Sequence, residues 1–351
     1  MFKFILKRFY YGILVILGVT VAVFFIFHAL PGDPVSMMAG QRTDVSTKEA
    51  IMKDLGLDKP LATQLTYYMN DLSPISLHED TDDNQLKYNY KKIIALGTNA
   101  FVIKMPYLRR SFQSNKRVSE IIWEHMEGTF WLAFASMLFA TIIAIPMGVI
   151  AALKQNSWLD HTLVSLSVIG ISAPSFVAAI LMAMVFGYYL ADYTGLNITG
   201  QLWVTDSIYG RQLELKNLIL PTITLGLRPL AIIVQLTRSS MLEVLSQDYI
   251  RTARAKGVKN FVIITKHALK NALNPVITAV SGWLASLMAG AFFIEYIFNW
   301  KGIGLVTIKA VENLDFPVVM GATLFIALVF IMVNLLVDIL YAVIDPRVRL
   351  V

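Results

Sequence analysis

The sequence contains no cysteine among its 351 residues. Disulfide bonds and catalysis by a thiol are therefore excluded, and any metal site would depend on histidine and carboxylate side chains. The histidines are few and widely separated, with no HxxxH pair that would place two imidazoles on one helix face: His28, His78, His125, His161 and His267. A bound metal is therefore not predicted.

Charged residues are also scarce. They make up 15% of the chain, against about 25% in soluble domains, and 56% of the residues are hydrophobic. This composition indicates an integral membrane protein. The net charge of +6 would suit nucleic-acid binding in a soluble protein, but basic residues that flank membrane spans set orientation and contact anionic lipid. We therefore expect the basic residues to contact the lipid bilayer, and we do not expect the protein to bind nucleic acid.

Long hydrophobic segments are abundant, and six of them reach the length of about 20 residues that a helix needs to cross a bilayer. They cover residues 9–30, 129–153, 161–190, 218–237, 276–299 and 319–344. Backbone groups inside a bilayer must pair within their own segment, which favours helices, and the alternating pattern of barrel strands is not seen. The sequence thus predicts an all-α membrane protein with six transmembrane helices. Pro174 and Pro221 predict a bend or an end in the third and fourth.

The first hydrophobic segment is longer than the roughly 7–15 apolar residues of a signal peptide, so we expect a retained helix. Lysine and arginine are concentrated before this segment, in residues 238–270 and near the C-terminus, which predicts that both termini are cytoplasmic. The chain then divides into residues 1–30 with the first helix, an extracytoplasmic segment 31–118, a core of five helices 119–345 with a cytoplasmic loop 238–275, and a cytoplasmic tail 346–351.

The extracytoplasmic segment begins with an amphipathic pattern. Residues 46–72 predict two short helices broken at Gly56 and Pro60. Residues 78–85, HEDTDDNQ, are acidic and polar, and we expect a solvated loop there in preference to a cation site.

A polar stretch, DYIRTARAKGVKNFVIITKHALKNALNP at 248–275, lies between the fourth and fifth hydrophobic segments. On a helix its apolar residues form one stripe at Ile250, Ala253, Gly257, Phe261, Ile264 and Ala268. Gly257 costs about 1 kcal/mol relative to alanine inside a helix, so we predict two short helices that meet there. Periodicity alone fits both an amphipathic helix on anionic lipid and a docking surface for a partner protein.

The residues around this stretch, SSMLEVLSQDYIRTARAKGVKNFVIITKHALKNALNP, resemble the EAA loop in permease subunits of ATP-binding-cassette (ABC) importers. The oligopeptide, dipeptide and nickel permease group is the most similar. Further matches in chain order are ALPGDP (29–34), DKP (58–60), GISAPSF (170–176), LPTITLGL (220–227) and NLLVDILYAVIDPRVRL (334–350). The resemblance covers nearly the whole chain and implies the type I ABC importer permease fold in the bacterial inner membrane.

In that family the loop inserts into a groove on a cytoplasmic ATPase subunit. The resemblance therefore implies an ATPase-coupling role for Asp248, Tyr249, Arg251, Thr252, Ala253, Arg254, Ala255 and Gly257. Three stretches depart from the family pattern: Arg251–Ala253 replaces Glu-Ala-Ala, as in the peptide subgroup, Met126-Glu127-Gly128-Thr129 replaces Leu-Pro-x-Thr, and YLRRSF (107–112) replaces Gly-Asp-Leu-Gly-x-Ser. Residues 73–106 are interpreted as an insertion.

The resemblance also implies partners and a substrate. It predicts two ATPase subunits, a second homologous permease subunit and an extracytoplasmic substrate-binding protein, with peptides as the substrate and nickel or another small solute as alternatives. The chain has no Gly-x-x-x-x-Gly-Lys-Ser/Thr phosphate loop, so we expect it not to be an enzyme. ATP and Mg would be bound by the ATPase subunits.

Two charged residues inside the hydrophobic segments are candidates for the substrate path, Arg228 and Glu295, because such residues are costly in a bilayer. Arg228 would meet a substrate carboxylate, or would pair structurally with a carboxylate or carbonyls of a neighbouring helix. For Glu295 and for Asp338, capping and interhelical hydrogen bonds are the commoner roles.

Two other functions would leave different patterns in the sequence. An ion- or proton-coupled secondary transporter would have inverted repeats and acidic residues in mid-span, and neither is evident. A membrane enzyme would need a catalytic group such as paired His and Asp or a Ser/Lys dyad, and none stands out.

Overall fold

The structure is a computed structural model that describes residues 2–29, 52, 58–206 and 208–344. The described residues divide into two compact units. The first unit contains those within Met1–Phe9, His125–Leu305 and Val329–Val351, and the second contains those within Tyr10–Glu124 and Val306–Leu328. The predicted first helix of 46–72, most of ALPGDP and the tail 346–351 lie outside the described residues.

Among the described residues, four helices are long and apolar enough to cross a membrane. They correspond to the predicted first, second, fourth and sixth segments: α1 (Phe2–Ala29), α4 (Val118–Leu153), α8 (Lys216–Leu245) and α14 (Phe316–Ile344). The helix α4 begins eleven residues before the predicted position 129. Its first turns are more polar than a hydropathy criterion admits, since they contain Glu120 and Glu124.

The predicted third segment, 161–190, is bent. Helix α5 (Trp158–Ser172) meets α6 (Ser175–Met182), which continues as a π-helix over Ala183–Tyr189, at an angle of 104°. Pro174 stands between them. Proline lacks an amide donor and disfavours helix in the residue before it, and Ala173 is accordingly extended. With this pair counted as one span, the described residues contain five candidate spans.

The predicted fifth segment, 276–299, is divided in the structure. A continuous helical stretch runs through α10 (Asn260–Val262), a π-helix (Ile263–Ala268) and α11 (Leu269–Met288), and the short α12 (Phe292–Ile297) follows. Gly290 in the break has a φ of 116°, which favours glycine. This helical stretch begins before residue 276, where the predicted segment begins, and it ends at Met288, before the predicted end at residue 299. The count of six spans therefore stays a prediction.

Helix α8 is central in the first unit, where it packs against α4, α5, α6 and α11. Small residues allow the close approach of α4: a Cβ at Gly148 would lie 2.6 Å from the Cβ of Thr237, and one at Gly226 would lie 2.8 Å from the Phe139 ring. Helix packing through small residues is characteristic of membrane proteins. The remaining short helices are α7 (Ala191–Thr194) and α13 (Ile303–Glu312).

The all-α prediction is wrong in detail, because the described part of the chain contains two small antiparallel sheets. One is the hairpin of β4 (Trp203–Asp206) and β5 (Gly210–Leu213) in the first unit. The other, in the second unit, contains β1 (Ile75–Glu79), β2 (Lys91–Leu96) and β3 (Asn99–Ile103) in the order β1-β3-β2. Along β3, Ala100 and Val102 are buried while Phe101 and Ile103 are exposed, the period of two that defines a strand with one buried face.

The solvated loop predicted over 78–85 is also wrong. His78 and Glu79 belong to β1, and the acidic residues that follow begin α3 (Asp82–Tyr88). The hydroxyl of Thr81 accepts the amide of Asn84 at the start of this helix. Asp82 and Asp83 occupy the first turn, where carboxylates are favoured by the helix dipole.

The second helix predicted within 46–72 is confirmed as α2 (Leu61–Leu72), which begins directly after Pro60. Its Tyr68 packs against Phe24 and Phe27 of α1 and against Phe316 and Met320 of α14. The residues interpreted as an insertion, 73–106, therefore form an ordered sheet next to a helix that is anchored on two apolar helices of the same unit.

Candidate functional site

The polar stretch forms the predicted pair of helices. The first is α9 (Asp248–Ala255), and the second is α10 with its π-helical continuation. Gly257 lies between them with a φ of +72°. The amides of Gly257 and Val258 donate to the carbonyls of Arg254 and Ala253, a helix ending that a left-handed glycine permits. We call residues 248–275 the coupling hairpin.

The coupling hairpin is anchored by Ile250. This side chain is fully buried among residues from the ends of α4, α8 and α11 and from the π-helix: Ala152, Met241, Ile263, Ala268 and Ala272. The predicted apolar stripe is wrong at Phe261, which is 76% exposed, whereas Ile263 is buried. The turn at Gly257, which precedes Phe261, changes the phase of the side chains between the two helices.

Most of the predicted coupling residues point away from this anchor. Asp248, Tyr249, Arg251, Thr252, Arg254, Ala255 and Gly257 are exposed, and Ala253 is half-buried. Arg251 lies 3.3 Å from Asp248, and both side chains remain largely in solvent, at 72% and 94% exposure. An exposed pair of this kind stabilises a helix only weakly. The outer face of α9 is thus polar and open, and its inner face is fixed to the helix ends.

Arg228 is exposed on α8, next to the buried Pro229. Within the described part of the chain it makes no hydrogen bond or ion pair. Exposed polar residues continue from Arg228 along the same face of α8 at helical spacing: Gln235, Ser239 and Glu243. A similar stripe of exposed polar or small residues follows one face of the adjacent α11: Asn271, Asn274, Thr278, Gly282 and Ser286.

Glu295 is fully buried in α12. One carboxylate oxygen accepts the hydroxyl of Thr129 at 2.8 Å, and the other accepts the amide of Leu305 at 3.1 Å. Thr129 in turn accepts the amide of Ile303. A Cβ at Gly302 would lie 2.3 Å from the Glu295 carboxylate. Glu295 therefore holds the start of α13, whose first amides would otherwise lack acceptors.

The four residues that depart from the family pattern, Met126–Thr129, lie at the same place. Glu127 accepts Trp203 Nε1 at 2.7 Å and the Arg211 guanidinium at 2.8 Å, which ties the β4–β5 hairpin to α4. The carbonyl of Gly128 accepts Trp300 Nε1. Sequence reasoning noted the departure but did not find these contacts, because their partners are distant along the chain.

Asp160 was also missed. Its carboxylate lies in the first turn of α5 and accepts two hydrogen bonds from the Arg238 guanidinium on α8, at 2.6 and 2.7 Å. Sequence reasoning used Arg238 only as a cytoplasmic cation. Asp338, whose commoner role was expected to be structural, forms an ion pair with Arg8 at 3.1 Å.

The buried face of the three-stranded sheet carries two titratable groups. His78 stacks on the Tyr88 ring, with ring centroids 4.1 Å apart. Lys104 Nζ donates to the main-chain carbonyl of Asp71. Burial lowers the pKa of Lys104 to about 8, and burial, followed by the nearby Lys104 charge, lowers the pKa of His78. Both groups lie in the segment between α1 and α4.

Comparison with known proteins assigns the sequence to a family. Residues 144–350 match the family described as "Binding-protein-dependent transport system inner membrane component". Residues 1–133 match its companion, "Binding-prot-dependent transport system membrane comp, N-term". The chain belongs to this family. It is a multi-pass inner membrane permease of a transport system, and the resemblance noted in its motifs is confirmed.

Relatives match along the full length. The chain is 36% identical to the dipeptide transport system permease protein DppB of Alkalihalophilus pseudofirmus, over 99% of this chain and 100% of the relative. It is 37% identical to DppB of Escherichia coli strain K12, over 99% of both. It is 34% identical to the glutathione transport system permease protein GsiC of Pectobacterium atrosepticum, over 99% of both.

A solved structure supports the fold. A chain of the MetNI methionine ABC transporter in an inward-facing conformation superposes with a TM-score of 0.53 at 16% identity, over 64% of this chain and 97% of that one. The fold is that of a type I ABC importer permease, as predicted.

Proposed function

We propose that the chain is the membrane-spanning permease subunit of an ATP-driven importer of di- and oligopeptides. It would form half of the translocation path and couple to ATPase subunits through the loop 248–275, in which α9 would make the contact. The observation that carries the proposal is the coupling hairpin, in which one buried isoleucine fixes a short helix whose polar face is open. The names of the full-length relatives, which refer to dipeptides and glutathione, favour a peptide over nickel or another solute.

The proposed assembly has two cytoplasmic ATPase subunits, a second homologous permease subunit and an extracytoplasmic substrate-binding protein. ATP and Mg would be bound by the ATPase subunits, since the sequence has no phosphate-binding loop. Small residues in α9, Ala253 and Ala255, suit close approach to a groove, and Arg251 and Arg254 offer two-pronged contacts to carboxylates.

The proposed topology has six spans with both termini in the cytoplasm. The bent pair α5 and α6 would form the third span, and α11 with α12 the fifth. Residues 31–118 would then face the outside, the coupling loop 238–275 the cytoplasm, and residues 119–345 would form the permease core.

The proposed substrate path runs along the polar faces of α8 and α11. Exposed polar side chains in a spanning helix are costly against lipid and are expected to face a water-filled path or another subunit. We propose that Arg228, which has no ion pair among the described residues, meets the carboxylate of a peptide. Glu295 would act at the outer end of the path by fixing the start of α13.

The coupling proposal is tested by co-purification. The detergent-solubilised wild type and an Arg251→Glu/Arg254→Glu variant are passed over an affinity column with the candidate ATPase subunits. We expect the ATPase to co-elute with the wild type and to be lost from the variant, because reversed charges would face the same groove.

A matched control is Lys266→Glu/Lys270→Glu, which makes the same change in charge in exposed residues of the hairpin outside α9. This control is expected to retain the ATPase. If the ATPase binds both variants equally, α9 is not part of the interface. An ATPase that binds neither variant nor the wild type would contradict the proposed function.

A further inference from the structure

One buried carboxylate joins three elements of the first unit. Asp160, at the start of α5, is 1% exposed. Besides the two hydrogen bonds from Arg238 on α8, its Oδ2 accepts the amide of Asn156 at 2.9 Å. Asn156 lies in the turn between α4 and α5 and has a φ of 62°. A two-pronged arginine–carboxylate contact fixes direction as well as distance, so the turn after α4, the start of α5 and Arg238 of α8 are held at a single point.

This point is adjacent to the anchor of the coupling hairpin. Met241, which contacts Ile250, lies three residues after Arg238 on α8. Ala152, in the same cluster, lies four residues before Asn156. Along α8, the pocket for Ile250 and the partner of the Asp160 carboxylate are therefore about one helical turn apart. A displacement of α9 would act on the ends of α4 and α8 as well as on the π-helix and α11, which also surround Ile250.

Helix α5 is also held to α8 near its other end. A Cβ at Gly170 would lie 3.1 Å from the Cβ of Leu227 and 3.2 Å from its carbonyl oxygen. Leu227 precedes Arg228. Two residues beyond Gly170, α5 ends at Ser172, before the 104° bend to α6. The contacts at Asp160 and Gly170 thus span nearly the whole of α5.

We propose that the Asp160–Arg238 ion pair links the movement of α5 to the movement of α8 in the transporter. It would transmit displacement of the coupling hairpin to α5, and through α5 to the bend and to the level of Arg228. This inference rests on the proposed function. Asp160 and Arg238 are positioning residues in it, since neither touches substrate or ATPase. Energetic coupling between distant sites is carried by rigid secondary elements together with the salt bridges and packed side chains that connect them.

The test uses Asp160→Asn in the complete transporter, reconstituted in proteoliposomes with its ATPase subunits and binding protein. Aspartate and asparagine have the same shape, so the variant removes the charge and keeps the volume. We expect ATP hydrolysis to remain near the wild-type rate and peptide uptake per ATP to fall about tenfold. An unchanged ratio of uptake to hydrolysis would contradict the proposed role of the ion pair.

The control is Asp192→Asn, which neutralises an exposed carboxylate in the first turn of α7 and is expected to leave the ratio unchanged. Should Asp160→Asn fail to accumulate in the membrane, Arg238→Lys takes its place, with the same expected and contradicting results. Lysine keeps the charge and lacks the two-pronged contact.

A second readout does not depend on uptake. Because the chain has no cysteine, Ser172→Cys, at the exposed end of α5, gives a single thiol. We expect its rate of maleimide labelling to differ between the nucleotide-free and ATP-trapped transporter, and the difference to vanish with Asp160→Asn. A difference in labelling rate that persists in the Asp160→Asn variant would contradict the proposed role of the ion pair. Failure of the wild type to bind ATPase subunits would instead contradict the proposed function.

Discussion

Arg228 and Asp160 show how little the identity of a charged residue says about its role. Both lie in helices of the first unit, yet Asp160 is buried with an arginine partner, and Arg228 is exposed without an ion pair among the described residues. The cost of an unpaired charge differs accordingly. Removing one partner of a buried pair leaves an uncompensated charge and costs about 3–5 kcal/mol, whereas an exposed side chain leaves none behind.

Arg228→Gln is therefore expected to affect transport alone. If Arg228 meets the substrate carboxylate, the variant should raise the KM for peptide uptake about tenfold or more, since a charge-assisted hydrogen bond contributes about 1.5–3 kcal/mol. ATPase co-purification and stimulated hydrolysis should be kept. Uptake kinetics and hydrolysis are measured on the same proteoliposomes.

Arg228→Lys is the control, because it keeps the charge and should retain most of the affinity. Loss of both transport and hydrolysis in Arg228→Gln would argue against a substrate contact and for a structural role.

At the scale of elements, the stability of the three-stranded sheet is expected to depend on pH. Its buried face holds His78 and Lys104, whose pKa values are both lowered by burial. Between the lowered and the ordinary pKa, the unfolded segment binds more protons than the folded one. The free energy of unfolding therefore increases with pH in that interval.

The sheet is thus expected to become more stable as pH rises from about 8 toward the ordinary lysine pKa of about 10.5. It should also lose stability as pH falls below the ordinary histidine pKa of about 6.5. Hydrogen exchange of β1 and β3 in the full-length protein, corrected for the intrinsic rate, measures both intervals. Lys104→Met should abolish the rise above pH 8, and Lys91→Met, on the exposed part of β2, should preserve it. If the stability of the Lys104→Met variant still increases above pH 8, a group other than Lys104 causes the increase.

The elements differ in how far the sequence predicted them. Helices α1, α4, α8 and α14 follow from hydrophobic length alone, and the turn at Gly257 follows from the cost of glycine in a helix. The sheet was not predicted, because β3 (NAFVI) is apolar on both faces and shows no alternation of polar and apolar residues, and because the acidic residues 78–85 favour a solvated loop. Their charges were interpreted as solvation, whereas Thr81 and the two aspartates begin a helix.

At the scale of the whole molecule, the proposed topology makes a direct prediction. Leu86 and Phe261 are both well exposed, at 77% and 76%, and lie in the segments proposed to face opposite sides of the membrane. In spheroplasts, a membrane-impermeant maleimide should label Leu86→Cys at once and Phe261→Cys only after permeabilisation. The cysteine-free wild type is the blank. Labelling of both positions from outside would contradict the proposed orientation.

The sequence by itself determined the class of protein, most of the membrane helices, the family and the polar hairpin, because composition, hydrophobic length and glycine act locally along the chain. Only the tertiary structure decided which charges are paired. Asp160 and Arg238 are 78 positions apart, and Thr129 and Glu295 are 166 apart. Such pairs form when the close packing of α4, α5, α8 and α12 brings their side chains into one buried place, and no local pattern records that packing.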